Sequence, residues 1–228
     1  MPDFFADKAV SFFNHLQLRT NFPKGVELMN PYRDDKVKAI VGQFFMKYYD
    51  DKQKRTGLFG INPGRFGAGI TGIAFTDPVN LKEKCGIDNK MQQKHELSSE
   101  FVYEMIDAYG GTEKFNEHFF LTAVCPLGFV KEGKNLNYYD RKDLQNAVQN
   151  FIIESINKQI AFGLHSKVCL CLGEGKNFKY LDTLNREHNF FEKIIPLAHP
   201  RYIMQYKRKQ KRDYVKKYLD ALERSLVI

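Results

Sequence analysis

Thr56-Gly57-Leu58-Phe59-Gly60-Ile61-Asn62-Pro63-Gly64 is the stretch on which the fold turns. Thr56 to Ile61 is short and apolar, with a charged turn, Asp50 to Arg55, before it. A loop rich in glycine and proline, Asn62 to Pro78, follows. That pattern predicts a buried strand ending at Asn62. Three further apolar runs have the same length and bounds: Phe119 to Cys125, stopped by Pro126; Lys167 to Leu172; and Phe190 to Ala198, which leads into His199-Pro200. Helical stretches separate them, and strands alternating with helices imply a parallel sheet covered on both faces. The expectation is an α/β protein, a three-layer α/β/α sandwich around a central, mainly parallel four-stranded sheet. Residues 1–228 suffice for one domain.

The helical segments are read from apolar spacing and end signals. The first 20 residues place Phe5, Ala9, Phe12, Phe13 and Leu16 on one side. A second helix begins at Asp34 or Asp35 and repeats Val37, Ile40, Val41, Phe44, Phe45 and Tyr48. Asn21 to Tyr32 reads as loop. A third helix runs from about Ser98 to Tyr109, capped by Ser98 or Ser99 and stopped by Gly110-Gly111. Asp140 opens a long helix with Asp143 as a weak capping box. Another helix follows Gly173-Glu174-Gly175, and the basic segment after Arg201 closes the chain as a helix with Tyr214, Tyr218, Leu219 and Leu222 inward.

Ligands of open parallel sheets sit beyond the carboxyl ends of the strands. Asn62 and His199, just after the first and fourth strands, are therefore the first functional candidates. Gly67-Ala68-Gly69-Ile70-Thr71-Gly72 matches a dinucleotide fingerprint in letters only. Five residues separate it from the strand, where the fingerprint needs its first glycine directly after it. Cys85, Cys125, Cys169 and Cys171 lack the spacing of a zinc or iron–sulfur site and read as buried small side chains. The histidines show no metal spacing either, so neither metal nor cofactor is expected. No run nears the ~20 apolar residues of a membrane span, and the start lacks a charged-then-apolar leader. The expected setting is intracellular (cytoplasm or nucleus), with a monomeric chain and no membrane partner. The formal net charge is +8, and Arg201 to Lys217 alone carries eight Lys/Arg against Asp213. Such a stripe points to a polyanion.

Gly60-Ile61-Asn62-Pro63-Gly64 resembles the first catalytic motif of the single-strand-selective monofunctional uracil-DNA glycosylases, within the uracil-DNA glycosylase superfamily. The likeness continues through Phe66-Gly67, Thr71-Gly72-Ile73-Ala74-Phe75 and Cys125-Pro126-Leu127, with Asn30-Pro31 upstream. Ala198-His199-Pro200-Arg201 resembles the second motif. The resemblance implies removal of a damaged, flipped-out base from DNA by water, with Asn62 and His199 as the catalytic pair. Gly60, Ile61, Gly64, Phe75 and Ala123 are then substrate-binding. Arg201, Tyr202, Ile203, Met204, Lys207, Arg208, Lys209 and Lys211 become the DNA-binding arm, with the helix-filling wedge among Arg201, Tyr202, Ile203 and Met204.

The chemistry agrees with those residue types. Breaking an N-glycosidic bond leaves positive charge on the sugar and negative charge on the base. A side-chain amide can hold water under the anomeric carbon, an imidazole can donate to the developing oxyanion, and a phenyl ring can stack on an extruded base. The pattern departs at Ala123, where the family places an asparagine that reads the pyrimidine edge. Uracil and 5-substituted uracils such as 5-hydroxymethyluracil are the expected substrates. The alternatives are deaminated purines, xanthine or hypoxanthine, and a DNA-binding protein that has lost the chemistry.

Overall fold

The computed structural model describes residues 4–227. In chain order it contains α1 (Phe5–Asn14), β1 (Glu27–Met29), α2 (Asp35–Tyr48), β2 (Arg55–Gly60), α3 (Ala68–Thr71), α4 (Pro78–Glu83), α5 (Leu97–Tyr109), α6 (Thr112–His118) and β3 (Phe119–Ala123). There follow β4 (Gly128–Lys131), β5 (Lys134–Leu136), α7 (Lys142–Phe162), β6 (Leu164–Leu172), α8 (Lys176–His188), β7 (Lys193–Leu197), α9 (Pro200–Tyr206) and α10 (Lys211–Leu226). The central sheet has the order β3-β2-β6-β7, and every pairing in it is parallel. It is the α/β architecture with a four-stranded parallel sheet expected from the sequence.

All six residues of β2 are buried, as are Val168 to Leu172 of β6, which is why these strands are apolar throughout rather than alternating. Arg55 is the one charge in β2. It is fully buried and neutralised by Asp51, with further hydrogen bonds to the carbonyls of Gln53 and Asn116. The helices α1, α2 and α7 pack together, as do α5, α9 and α10. All four cysteines are free and buried. Among the described residues no helix is long and apolar enough to cross a membrane.

Several elements differ from the sequence expectation, each for a local reason. The first helix spans only Phe5–Asn14; Leu16 still reaches the core beyond its end, and the first three residues of that expectation lie outside the described residues. The presumed loop from Asn21 to Tyr32 contains β1, which pairs antiparallel with β4. A hairpin, β4–β5, lies between the second apolar run and the long helix, a stretch for which the sequence offered no element. Its turn, Glu132-Gly133, has two left-handed residues, the geometry of a tight two-residue hairpin loop. The loop after Asn62 folds into α3 and opens α4. Ser98 and Ser99 do not cap α5. They lie within its first turn, after the N-cap Glu96, and Ser99 Oγ accepts from the Asp77 backbone and from Asn80 Nδ2 instead. Asp140 does not open α7 either: it accepts from the Asn137 N–H, while Asp143 pairs with Arg141. The chain leaves β2 toward β3 on one side, then returns across to β6 on the other. A crevice opens where windings diverge in this way, at the carboxyl ends of the strands.

Candidate active site

A cavity of about 350 Å³ occupies that crevice. Its walls include Gly60 to Gly64, Phe75, Glu96, Ala123, Asn137, Tyr139, His199 and Arg201. Asn62, at the end of β2, is fixed at both ends of its amide. Nδ2 donates to the Leu136 carbonyl (3.2 Å), and Oδ1 accepts from the Tyr138 N–H (3.0 Å). These two backbone partners assign the amide orientation, and Oδ1 keeps a second lone pair. Behind this contact, Tyr138 donates through its hydroxyl to Asn177 Oδ1, and Asn177 Nδ2 reaches the Gly60 and Leu172 carbonyls. The ends of β2 and β6 and the segment after β5 are thus held as one unit.

His199 is the N-cap of α9. Its Nδ1 accepts from the Arg201 N–H at 3.1 Å. An accepting Nδ1 carries no proton, so the neutral ring holds its hydrogen on Nε2 and offers a donor there. Burial first, and the Arg201 charge second, lower its pKa to about 4. The ring centroid lies 5.9 Å from that of Phe75. Phe75 itself has φ of +54°, a strained conformation for a bulky residue. Its ring fills the space over Gly60, where an added Cβ would lie 2.6 Å from the ring. Gly60 is therefore the residue that lets the phenyl ring lie against the strand end.

The sequence-predicted residues Gly60, Ile61, Asn62, Gly64, Phe75, Ala123, His199, Arg201 and Tyr202 all line this one cavity. Ile203 and Met204 do not. Both are buried in the core, which removes them as wedge candidates because α9 turns that face inward. Tyr202 and Tyr206 are exposed at the rim, with ring centroids 5.5 Å apart. Tyr206 was missed, although four-residue spacing from Tyr202 on a helix signals a shared face. Of the arm, Arg208 pairs with Glu100 at 3.1 Å and Lys211 with Glu104, both on α5. No described acid pairs with Lys207, Lys209 or Arg212.

Glu96 was also missed: a lone acid 34 residues beyond Asn62 carries no sequence signal. Its carboxyl lies over Gly64 and Gly67. Burial, then the neighbouring Asp77 charge, push its pKa up to about 7, with Arg201 pulling the other way. Among the described residues no group of three or more His, Cys, Asp or Glu is placed to hold a metal ion.

The fold and this cleft define an α/β protein with a ligand crevice at the strand ends, and comparison with known proteins supplies the family. The sequence model of the Uracil DNA glycosylase superfamily matches residues 46–223, and the chain belongs to that superfamily. It is a DNA glycosylase of base excision repair, a hydrolase of N-glycosyl bonds. A crystal structure of wild-type SMUG2 from Pedobacter heparinus is similar over 99% of both chains, with 44% sequence identity and a TM-score of 0.96. No curated protein gives a significant sequence match.

Proposed function

We propose that the enzyme excises uracil and 5-substituted uracils, such as 5-hydroxymethyluracil, from DNA by a monofunctional route. The observation that carries this reading is the pairing of an amide fixed by two backbone contacts with a neutral imidazole donor in one cavity. Asn62 Oδ1 holds a water under the anomeric carbon. As the bond from sugar to base breaks, His199 Nε2–H donates to the base oxygen that gains charge, the water oxygen bonds to the sugar, and the water's proton passes to the departing base anion. Phe75 stacks on the extruded base. Tyr202 and Tyr206, at the rim, supply aromatic surface for the gap left in the stack.

Incubation with oligonucleotides carrying uracil, 5-hydroxymethyluracil, hypoxanthine or xanthine, followed by alkali, tests the reading. Abasic product from the uracils, an intact strand before alkali and no borohydride-trapped adduct are expected. A second reading, deaminated purines, is favoured by one observation: Ala123 leaves the end of β3 without an amide to read a pyrimidine edge. Cleavage confined to the two purines selects it.

Gly64 bears on 5-substituents. In the strictly uracil-specific relatives a tyrosine at this place blocks a group on C5. Gly64 is not among the residues with left-handed φ, so its lack of a side chain is a matter of space. Gly64→Tyr is expected to cut 5-hydroxymethyluracil cleavage at least about tenfold more than uracil cleavage, the scale of steric discrimination in a pocket. Gly64→Ala is the smaller step of the same series, its Cβ lying 3.0 Å from Glu96 Oε1 and 3.4 Å from Asn135 Nδ2, and it should lose less of either activity than Gly64→Tyr. Equal losses on both substrates in Gly64→Tyr are the outcome that rules out the open-pocket account.

The arm gives a separate prediction. Because Arg208 and Lys211 are occupied by acids of α5, phosphate binding falls to Lys207, Lys209 and Arg212. Replacing Lys209 and Arg212 by glutamine should weaken binding to all sequences alike. It should also flatten the plot of log affinity against log salt by about 0.7–0.9 per lost contact. An unchanged slope in a fluorescence-anisotropy titration would assign these residues to an ordinary solvated face.

A further inference from the structure

Glu96 brings a carboxyl to the cavity wall, and the proposed mechanism gives it no role. Its backbone is fixed: the Glu96 N–H donates to Asp77 Oδ2 at 2.9 Å, and Asp77 also caps α4 through the Asn80 N–H. From this anchored start of α5 the side chain folds over the loop after β2. Two glycines make room for it. A Cβ on Gly64 would lie 3.0 Å from Oε1, and one on Gly67 would overlap Oε2.

The carboxyl does nothing for the loop beneath it. The N–H groups of Gly67 and Gly69 both donate to the Gly64 carbonyl, and the Arg65 N–H donates to Asn135 Oδ1. No hydrogen bond or ion pair to the Glu96 carboxyl occurs among the described residues. Arg201 lies close enough to influence it electrostatically without pairing. Glu96 is half-buried, so water still reaches the unpaired carboxyl, and a base that displaced this water would have to replace its hydrogen bonds. The carboxyl borders the space where a base would enter.

We infer that Glu96 is a specificity-determining residue, its carboxylate accepting a hydrogen bond from the hydroxyl of a 5-hydroxymethyl group and rejecting 5-substituents of similar size that lack a donor. The inference rests on the uracil-pocket reading, with Gly64 on the C5 side. Gly64 then does not leave the C5 side empty; it leaves it facing an acceptor. A hydroxymethyl group replaces the water lost from the carboxylate. A methyl group covers the carboxylate and gives nothing back, and a formyl oxygen meets it with like partial charge. Sites built to bond a substrate hydroxyl discriminate strongly against analogues lacking it, because the buried polar group is then left unpaired.

Single-turnover cleavage at pH 8.5, where the carboxyl is ionised, tests this with otherwise identical oligonucleotides carrying uracil, 5-hydroxymethyluracil, 5-formyluracil or thymine. Wild type is expected to cleave 5-hydroxymethyluracil at least about tenfold faster than 5-formyluracil. This order runs against the intrinsic one, since the electron-withdrawing formyl group makes the better leaving base. In Glu96→Leu the ratio of 5-hydroxymethyluracil to uracil rates should fall at least about tenfold. Glu96→Gln keeps an acceptor and adds a donor, so it should retain the hydroxymethyl substrate and gain the formyl one. A purely structural role for Glu96 scales all substrates together and leaves these ratios where they were. That result, or equal wild-type rates on the hydroxymethyl and formyl bases beside good uracil cleavage, overturns the inference alone. Absence of any uracil cleavage by wild type overturns the pocket reading itself. If Glu96→Leu does not fold, the wild-type order and the glutamine variant still decide.

Discussion

Asn62→Ala is expected to lose roughly 10³–10⁴-fold in single-turnover cleavage of uracil DNA, the upper part of what a positioned acid–base group contributes. The side chain does two things, and the variant separates them only if both are measured. Oδ1 and Nδ2 hold the Tyr138 N–H and the Leu136 carbonyl, so the mutation also strips partners from two half-buried backbone groups. Each such loss costs about 1–3 kcal/mol when water cannot replace the bond. A lower Tm is therefore expected along with the lost rate. DNA affinity should change little, because phosphate contacts come from the arm. A variant that binds DNA normally, melts lower and cleaves at wild-type rate would show that Asn62 only ties down the segment after β5. The same Tm shift with a large rate loss gives it both roles.

Much of this site was legible in the sequence because it lies where strands end. Gly60-Ile61-Asn62 and Ala198-His199-Pro200 follow apolar runs whose period and length mark them as strands, and a parallel sheet brings such ends together. The neighbours that orient those residues were not legible. The backbone of Leu136 and Tyr138 reaches Asn62 from 74 and 76 positions away, and backbone partners leave no residue-type signal. The β4–β5 hairpin was missed because its strands are short and its turn is Glu132-Gly133 rather than a strong turn dipeptide. The serines at the start of α5 read as caps because capping preference is local, whereas Asp77 and Asn80 claim Ser99 from another helix. Ile203 and Met204 read as wedge material by hydrophobicity. Only the packing of α9 against α5 and α10 shows that these two face the core and that Tyr202 and Tyr206 face the rim.

His199→Asn should lose on the order of 10²–10³-fold in cleavage rate, the cost of removing one oxyanion donor. Asparagine is chosen because His199 also starts α9: its Nδ1 takes the Arg201 N–H. An asparagine side chain caps helices well, so this variant keeps the helix start and removes the Nε2–H. His199→Ala removes both, and the difference in Tm between the two variants measures the cap, typically about 1 kcal/mol. The donor is a neutral imidazole, since burial holds its pKa at about 4, below the ~6.5 of an unfolded histidine. A group whose folded pKa is depressed in this way stabilises the native state fully above ~6.5 and ceases to do so as pH falls through about 4. The cleavage rate should accordingly show no inflection from His199 between pH 5 and 8, and its ring resonances should not titrate in that window. Observing a His199 transition near pH 6.5 that tracks the rate would mean that a charged imidazolium supplies the donor, and the neutral-donor mechanism would have to be abandoned.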